Sequence, residues 1–168
     1  MENVSHDCEK GGLFMSKKIN MFISHYGGDE EFIPKFKELM ADKYEIRDSS
    51  IVKSDPNNAH NEEYIKSLIR NQIDWAGKVV VLIGPKTADR DWVDYEIDYA
   101  KKKGDKRVIG VFLRGSTDSD VPEALKNDGD ALVAWNSDKI SEAIEGKNIW
   151  ENPDGSTRAS TDTGRGTC

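Results

Sequence analysis

A glutamate in the third predicted helix is the side chain whose type and spacing point most directly to chemistry. The helix expected over residues 90–103 packs on the core through an apolar face formed by Val93, Ile97 and Ala100. Glu96 lies about 60° from that face, one turn after Trp92 and without a cation four residues on. A carboxylate in such a place can take part in catalysis. It can also be a border residue that simply hydrogen-bonds to a neighbour, and spacing alone favours this second interpretation.

Strands and helices that would position this carboxylate alternate along the chain. Short apolar or alternating runs predict five strands, at residues 18–24, 44–49, 78–83, 107–113 and 131–135. Helical periodicity predicts longer helices at residues 29–41, 61–75, 90–103 and 137–146. A further short helix would be capped by Asp120 and have Pro122 in its first turn. The pattern predicts an α/β fold, a flavodoxin-like three-layer sandwich with a five-stranded parallel sheet in the order 2-1-3-4-5.

Ligands of such sheets bind at the carboxyl ends of the strands, near the switch between the first and third. The loops expected to form a site are therefore residues 24–30, 49–60, 84–92 and 114–120. These loops contain no P-loop, no G-x-G-x-x-G turn, no H-E-x-x-H or cysteine cluster and no G-x-S-x-G elbow. A phospho-receiver is also disfavoured. Asp29 and Glu30 match its acidic pair, but the third strand ends at Ile83 and Gly84 rather than at an aspartate.

The composition and charge of the chain exclude further classes of protein. The 168 residues are 36% apolar and 33% charged, with a net charge of −7, which argues against binding nucleic acid by bulk charge. No run of eighteen apolar residues could span a membrane. Residues 1–16 and 152–168 are predicted to be disordered tails around a domain at 17–151. Both cysteines, Cys8 and Cys168, lie in those tails, so neither a core disulfide nor a metal site is expected, and a cytoplasmic location is the default.

Two motifs on these elements resemble those of a known family. The strand Met21–His25 is similar to the opening "FISH/FISY" motif of Toll/interleukin-1 receptor (TIR) domains, and Trp92–Ile97 is similar to their W-x-x-x-E helix. The stretch Val79–Gly84, then Thr87, then the same helix, resembles the TIR-like family of the bacterial Thoeris anti-phage system, the ThsB component. The resemblance covers residues 18–150, the whole predicted domain.

This resemblance implies an enzyme that consumes NAD as its substrate. No resident cofactor is expected beside that substrate, and the missing ligand motifs predict no metal. Such domains cleave the bond between nicotinamide and ribose, and many bacterial members cyclise the ADP-ribose into a signal for a separate effector. The family's catalytic glutamate corresponds to Glu96. The residues expected to bind the substrate are Ser24, His25, Tyr26, Ser49, Ser50 and Trp92. The family's BB loop corresponds to Ser50–His60, which also suggests a homo-oligomer formed through that loop, with Lys53 able to reach a phosphate.

Two other functions stay open at this point. A TIR domain can serve as a non-catalytic interaction module that binds partners through the Ser50–His60 loop, indifferent to Glu96. A nucleoside deoxyribosyltransferase-like enzyme would use a glutamate nucleophile on a related sheet. Neither nucleic acid nor a membrane is an expected partner.

Overall fold

The structure, a computed structural model, describes residues 16–49, 61–89 and 91–158. Its strands are β1 (Lys17–Ser24), β2 (Tyr44–Asp48), β3 (Lys78–Ile83), β4 (Arg107–Phe112) and β5 (Ala131–Val133). Its helices are α1 (Phe32–Leu39), α2 (Glu62–Trp75), α3 (Asp91–Lys103), α4 (Glu123–Asp128) and α5 (Ser137–Glu145). Single 3₁₀ turns lie at Gly27–Asp29, Thr87–Asp89 and Asp118–Asp120. The alternation predicted from hydrophobic periodicity is therefore confirmed.

The five strands form one parallel sheet in the order β2-β1-β3-β4-β5, which confirms the predicted flavodoxin-like topology. Ser24, the last residue of β1, pairs with Val81, so β3 runs two residues further, to Ile83. On the other side β2 ends at Asp48, which pairs with Met21. Between β2 and β3, the carboxyl edge of the sheet is therefore stepped at the switch point, where ligands of this fold bind.

Helices cover both faces of the sheet, so β3 is buried on both sides, as its unbroken apolar run predicts. On one face, alternate residues such as Ile23 and Leu82 pack with α1 and α5. On the other face, Phe22 and Ile83 pack with α2, α3 and α4. Neighbouring residues of β1 thus point into two separate cores, and by the same alternation Ser24 belongs to the face covered by α3.

The predicted cap of the short helix is wrong. Helix α4 begins after Pro122, whereas Asp120 closes a capping box with Thr117 and accepts its backbone N–H at 2.7 Å. Val121 is extended, with φ −76° and ψ 123°, because a residue that precedes proline is driven out of the helical region. The aspartate therefore caps a separate 3₁₀ turn, and the helix begins two residues later than an Asp120 cap would place it.

The chain stays structured beyond the boundary predicted at residue 151. Trp150 bridges to Leu132 beside β5, and Glu151 forms an antiparallel bridge with Thr157. The Glu151 side chain, on a residue only 6% exposed, accepts the Ala134 N–H at 3.0 Å. Residues 152–158 thus continue the domain, although their polar composition predicts a tail. The remainder of both predicted tails lies outside the described residues.

Tyr44 ties the start of β2 to α5 and gives the fold a measurable pH dependence. Its hydroxyl donates to Glu145 Oε2 at 2.6 Å, and burial, reinforced by this bond, raises the pKa of Tyr44 to about 12. Because the folded state prefers the neutral phenol, its contribution to stability is complete below pH 10 and is lost as pH rises towards 12. We expect Tyr44→Phe to lower the free energy of unfolding at pH 7 by about 1 kcal/mol in urea titrations. The tyrosinate absorbance titration should lose a late step near pH 12, and an unchanged titration would contradict this assignment.

Candidate active site

Ser24 and Glu96, which are 72 residues apart in sequence, meet at the step in the sheet. Ser24 is 2% exposed, and its hydroxyl donates a hydrogen bond to Oε1 of Glu96. A hydroxyl that donates to a carboxylate holds one oxygen in place and stabilises the ionised form. The pair therefore fixes a carboxylate at the carboxyl end of β1.

Helix α3 places this carboxylate at the border of the core. Val93, Ile97 and Ala100 are almost completely buried against the sheet, which leaves Glu96 half-buried. One turn earlier the Trp92 ring packs edge-to-face on Tyr95, with centroids 5.9 Å apart. The arrangement agrees with the border position that helical periodicity predicts.

Two cations of α2 lie beside the same aromatic pair. Arg70 donates to the Tyr95 hydroxyl at 3.1 Å, and the Lys66 ammonium lies 5.4 Å from the Tyr95 ring centroid. Both cations also pair with glutamates of their own helix, Lys66 with Glu62 at 3.4 Å and Arg70 with Glu63 at 3.3 Å. An anionic ligand at this edge would find donors there.

A hydrogen-bonded turn follows β3 on the side of the sheet that leads to α3. Thr87 is fully buried; its hydroxyl accepts the Gly84 N–H at 2.7 Å and donates to the Leu82 carbonyl at 3.3 Å. The Thr87 N–H in turn donates to the Gly84 carbonyl at 3.1 Å. These hydrogen bonds satisfy the polar groups of Gly84 and Thr87 inside the turn.

Asp29 is a carboxylate at this edge that the sequence indicated only by its position after the first strand. Its Oδ2 is buried, has no hydrogen-bond partner among the described residues, and lies against Gly84, where a Cβ would come within 2.3 Å of it. Burial raises the pKa of Asp29, nearby His25 opposes the shift, and Glu31 adds to it. No sequence signal shows this contact, because it depends on how the loop after β1 folds over β3.

Replacing Asp29 by asparagine should therefore stabilise the protein at neutral pH. A carboxyl whose folded pKa is raised above its ordinary value of 3.8 favours the neutral form, so its ionisation costs stability as pH rises through the folded pKa. We expect Asp29→Asn to raise Tm by about 1–2 °C at pH 7, since the group is partly exposed and screened. The gain should vanish below about pH 3, where both side chains are neutral. Equal gains at both pH values would mean that charge is not the cause.

Of the other residues predicted to bind the substrate, only some lie close in sequence to the pair formed by Ser24 and Glu96. His25 and Tyr26 directly follow Ser24 and are half-buried, with His25 Nδ1 lying 3.2 Å from the Ile23 carbonyl. The hydroxyl of Ser49 donates a hydrogen bond to the Gln72 carbonyl on α2, at 3.2 Å. Ser50 and the rest of the Ser50–His60 segment lie outside the described residues. Substrate binding by these residues stays a prediction.

Within residues 16–49, 61–89 and 91–158, no group of three or more His, Cys, Asp or Glu side chains is placed to hold a metal ion. Among the helices in that part of the chain, none has the length and apolarity needed to cross a membrane.

The sheet order and the strand and helix that meet at Ser24 and Glu96 define a TIR-like α/β domain. A family model described as "Thoeris protein ThsB, TIR-like domain" matches residues 22–118, more than half of the chain. The chain belongs to this family, which places it in anti-phage defence and confirms the resemblance of its motifs.

Comparison with other proteins adds support for the fold alone. A crystal structure described as a conserved protein from Enterococcus faecalis V583 matches with a TM-score of 0.52 at 12% identity, covering 76% of this chain and 98% of that one. No curated protein matches the sequence.

Proposed function

We propose that this protein cleaves NAD at the bond between nicotinamide and ribose, and that Glu96 is its catalytic residue. The observation that supports this most is the carboxylate held by Ser24 at the stepped edge of the sheet, on the helix that bears the family's W-x-x-x-E pattern. Membership of a TIR-like family supports NAD as the substrate, because the motifs of this chain resemble those of NAD-consuming TIR domains. The proposed reaction needs no metal, since the leaving group already carries a positive charge.

The chemistry suits a single fixed carboxylate. As the bond breaks, its electron pair leaves with nicotinamide, which becomes neutral, and positive charge develops on the ribose as in glycoside hydrolysis. A carboxylate at a half-buried position stabilises that charge more strongly than one in water would. Its second oxygen can accept hydrogen bonds from the ribose hydroxyls.

What happens to the ribose cation decides the product. Attack by water gives ADP-ribose and releases a proton, whereas attack by a nucleophile of the same molecule gives a cyclic ADP-ribose, which is lighter than ADP-ribose by one water. Cyclisation therefore requires that water be excluded from the closed site. We favour the cyclic product, acting in the cytoplasm as a signal that a separate effector binds.

Different residues around Glu96 would then bind different parts of NAD. His25, Tyr26 and Trp92 offer flat surfaces for the nicotinamide or adenine ring, and Lys66 and Arg70 offer charge for the two phosphates. Ser50 would contact the same phosphates, and Ser49 would do so only by giving up its hydrogen bond to the Gln72 carbonyl. The Ser50–His60 segment would join two copies of the chain, which light scattering of the concentrated protein can measure.

Mass analysis of reaction products tests the proposal. Purified full-length protein is incubated with NAD, and separately with deoxynucleoside pairs, in the presence and absence of a filtrate from phage-infected cells. The expected result is nicotinamide together with ADP-ribose or a cyclic ADP-ribose, in the NAD samples alone. Base exchange between deoxynucleosides would instead indicate a transferase. Intact NAD under every condition would leave an interaction module as the function and overturn the proposal.

Removing the hydroxyl that holds Glu96 should slow the reaction without stopping it. A hydrogen bond to a charged group contributes about 1.5–3 kcal/mol, so Ser24→Ala is expected to lower kcat by about tenfold to a hundredfold. Ser67→Ala, which removes a hydroxyl bonded to the Tyr64 carbonyl at 2.8 Å within α2, is the matched control and should retain full activity. Equal rates for the two variants would show that Ser24 does not position the carboxylate.

A further inference from the structure

A pocket of about 430 Å³ opens at the carboxyl edge of the sheet, on the face opposite Glu96. It lies between α1 and the residues that follow β4 and β5, namely Leu113, Arg114 and Trp135. These belong to the layer in which Ile23 packs with α1 and α5, whereas Ser24 and α3 occupy the other layer. Its volume falls in the range of about 300–1,000 Å³ that small-molecule sites occupy. The sheet therefore separates this pocket from the site described above.

The wall of the pocket is aromatic and held in place. The Trp135 ring packs edge-to-face on Phe32 and on Phe36, with centroid distances of 6.4 and 6.1 Å. Leu39 and Leu113 complete the apolar lining. Because the tryptophan is fixed by two neighbours and is only half-buried, part of it can pack against a flat ligand ring at little entropic cost.

Two cationic side chains line this pocket, although the net charge of the whole chain is −7. Arg114 is held on a tight turn in which Gly115 adopts φ +85° and Ser116 donates its N–H and its hydroxyl to the Leu113 carbonyl, at 3.2 and 2.6 Å. The guanidinium makes no hydrogen bond or ion pair with any described residue. Lys35 lies 4.8 Å from the Phe32 ring centroid and pairs with Glu31 at 3.2 Å.

One anionic side chain completes the polar lining. Glu38, on α1 one turn after Lys35, has no ion pair within the described part of the chain. A carboxylate accepts hydrogen bonds and repels other anions. Beside an aromatic wall and two cations, it offers an acceptor for an amino group of a ligand that also carries negative charge.

We propose that this pocket binds a purine mononucleotide that bears an exocyclic amino group. The base would pack against Trp135 and Phe32, and the phosphate would pair with Arg114 and Lys35. A phosphate monoester carries about 1.5–2 negative charges at pH 7, which matches two cations. Glu38 would accept a hydrogen bond from the amino group of the base. The binding would not depend on Glu96 or on cleavage of NAD.

Titration calorimetry of the full-length protein, combined with the indole N–H signals of a ¹H–¹⁵N spectrum, tests this site. The probes are AMP, adenosine without the phosphate, ribose 5-phosphate without the base, and IMP without the amino group. We expect AMP to bind and to move the Trp135 signal, assigned by its absence in Trp135→Phe. Each of the other three probes should bind at least tenfold more weakly.

Variants separate the parts of the proposed site. Arg114→Gln should weaken AMP binding at least tenfold, whereas Lys126→Gln, an equal change of charge at an exposed residue of α4 on the other face, should have no effect. Glu38→Gln should reduce the preference for AMP over IMP, and Glu96→Gln should leave AMP binding unchanged. Equal binding of all four probes, an unmoved Trp135 signal, or loss of binding in Glu96→Gln would overturn the proposal. So would self-association that buries Trp135 and excludes AMP.

Discussion

Replacing Glu96 with glutamine is expected to reduce NAD cleavage by at least about a hundredfold, because the amide cannot stabilise positive charge on the ribose. Glutamine keeps an oxygen that can accept the Ser24 hydroxyl, so the variant should fold and its Tm should change little. The measurement is the rate of nicotinamide release at saturating NAD. A loss in kcat with nearly unchanged KM is expected, since the carboxylate acts mainly in the transition state.

The matched control for this variant lies on the same helix. Asp98 is an exposed carboxylate of α3, and Asp98→Asn removes an equal charge away from the pair formed by Ser24 and Glu96. We expect it to retain full activity. If Glu96→Gln cleaves NAD as fast as Asp98→Asn does, the catalytic group is elsewhere in the molecule. If the unmodified protein does not cleave NAD at all, it is the proposed function that fails.

A valine at Gly110 should lower the free energy of unfolding by about 3 kcal/mol, which corresponds to a fall in Tm of about 6–12 °C. Gly110 lies within β4, where a Cβ would come within 2.5 Å of Leu125, 2.8 Å of Leu132 and 3.0 Å of Ile83. These three side chains are at most 1% exposed, so they cannot move aside without disturbing the packing of α4 on the sheet. Urea unfolding followed by circular dichroism measures the effect.

Gly77 supplies the control for this substitution. It is exposed, and a Cβ there would have the Asn20 carbonyl oxygen as its nearest contact, at 3.9 Å. Gly77→Val should therefore change the unfolding free energy by less than about 1 kcal/mol. A similar loss at both positions would mean that valine acts through backbone conformation rather than through the contacts of Gly110.

Much of the fold was predictable because each element carries its own signal. The unbroken apolar run of β3 requires burial on both faces, and the weak alternation of β2 is typical of an edge strand; both positions are found in the sheet. The prediction was wrong where the same local sequence pattern is compatible with two structures. Asp120 can cap a helix or a 3₁₀ turn, and the backbone restriction imposed by Pro122 selects the turn. The polar residues 152–158 become ordered because Glu151 and Arg158 bond back to the domain.

The sequence by itself determined the element order, the sheet topology and the family, and it identified Glu96 as a carboxylate at the border of a helix. These features follow from hydrophobic periodicity and short motifs, and both are formed by residues that are close together in the sequence. Only the tertiary structure decided that Ser24 binds Glu96, that Asp29 lies on Gly84, and that Trp135 and Arg114 share a pocket. The physical reason is that parallel strands bring the ends of distant segments to one edge, and contacts between those ends depend on register and loop path.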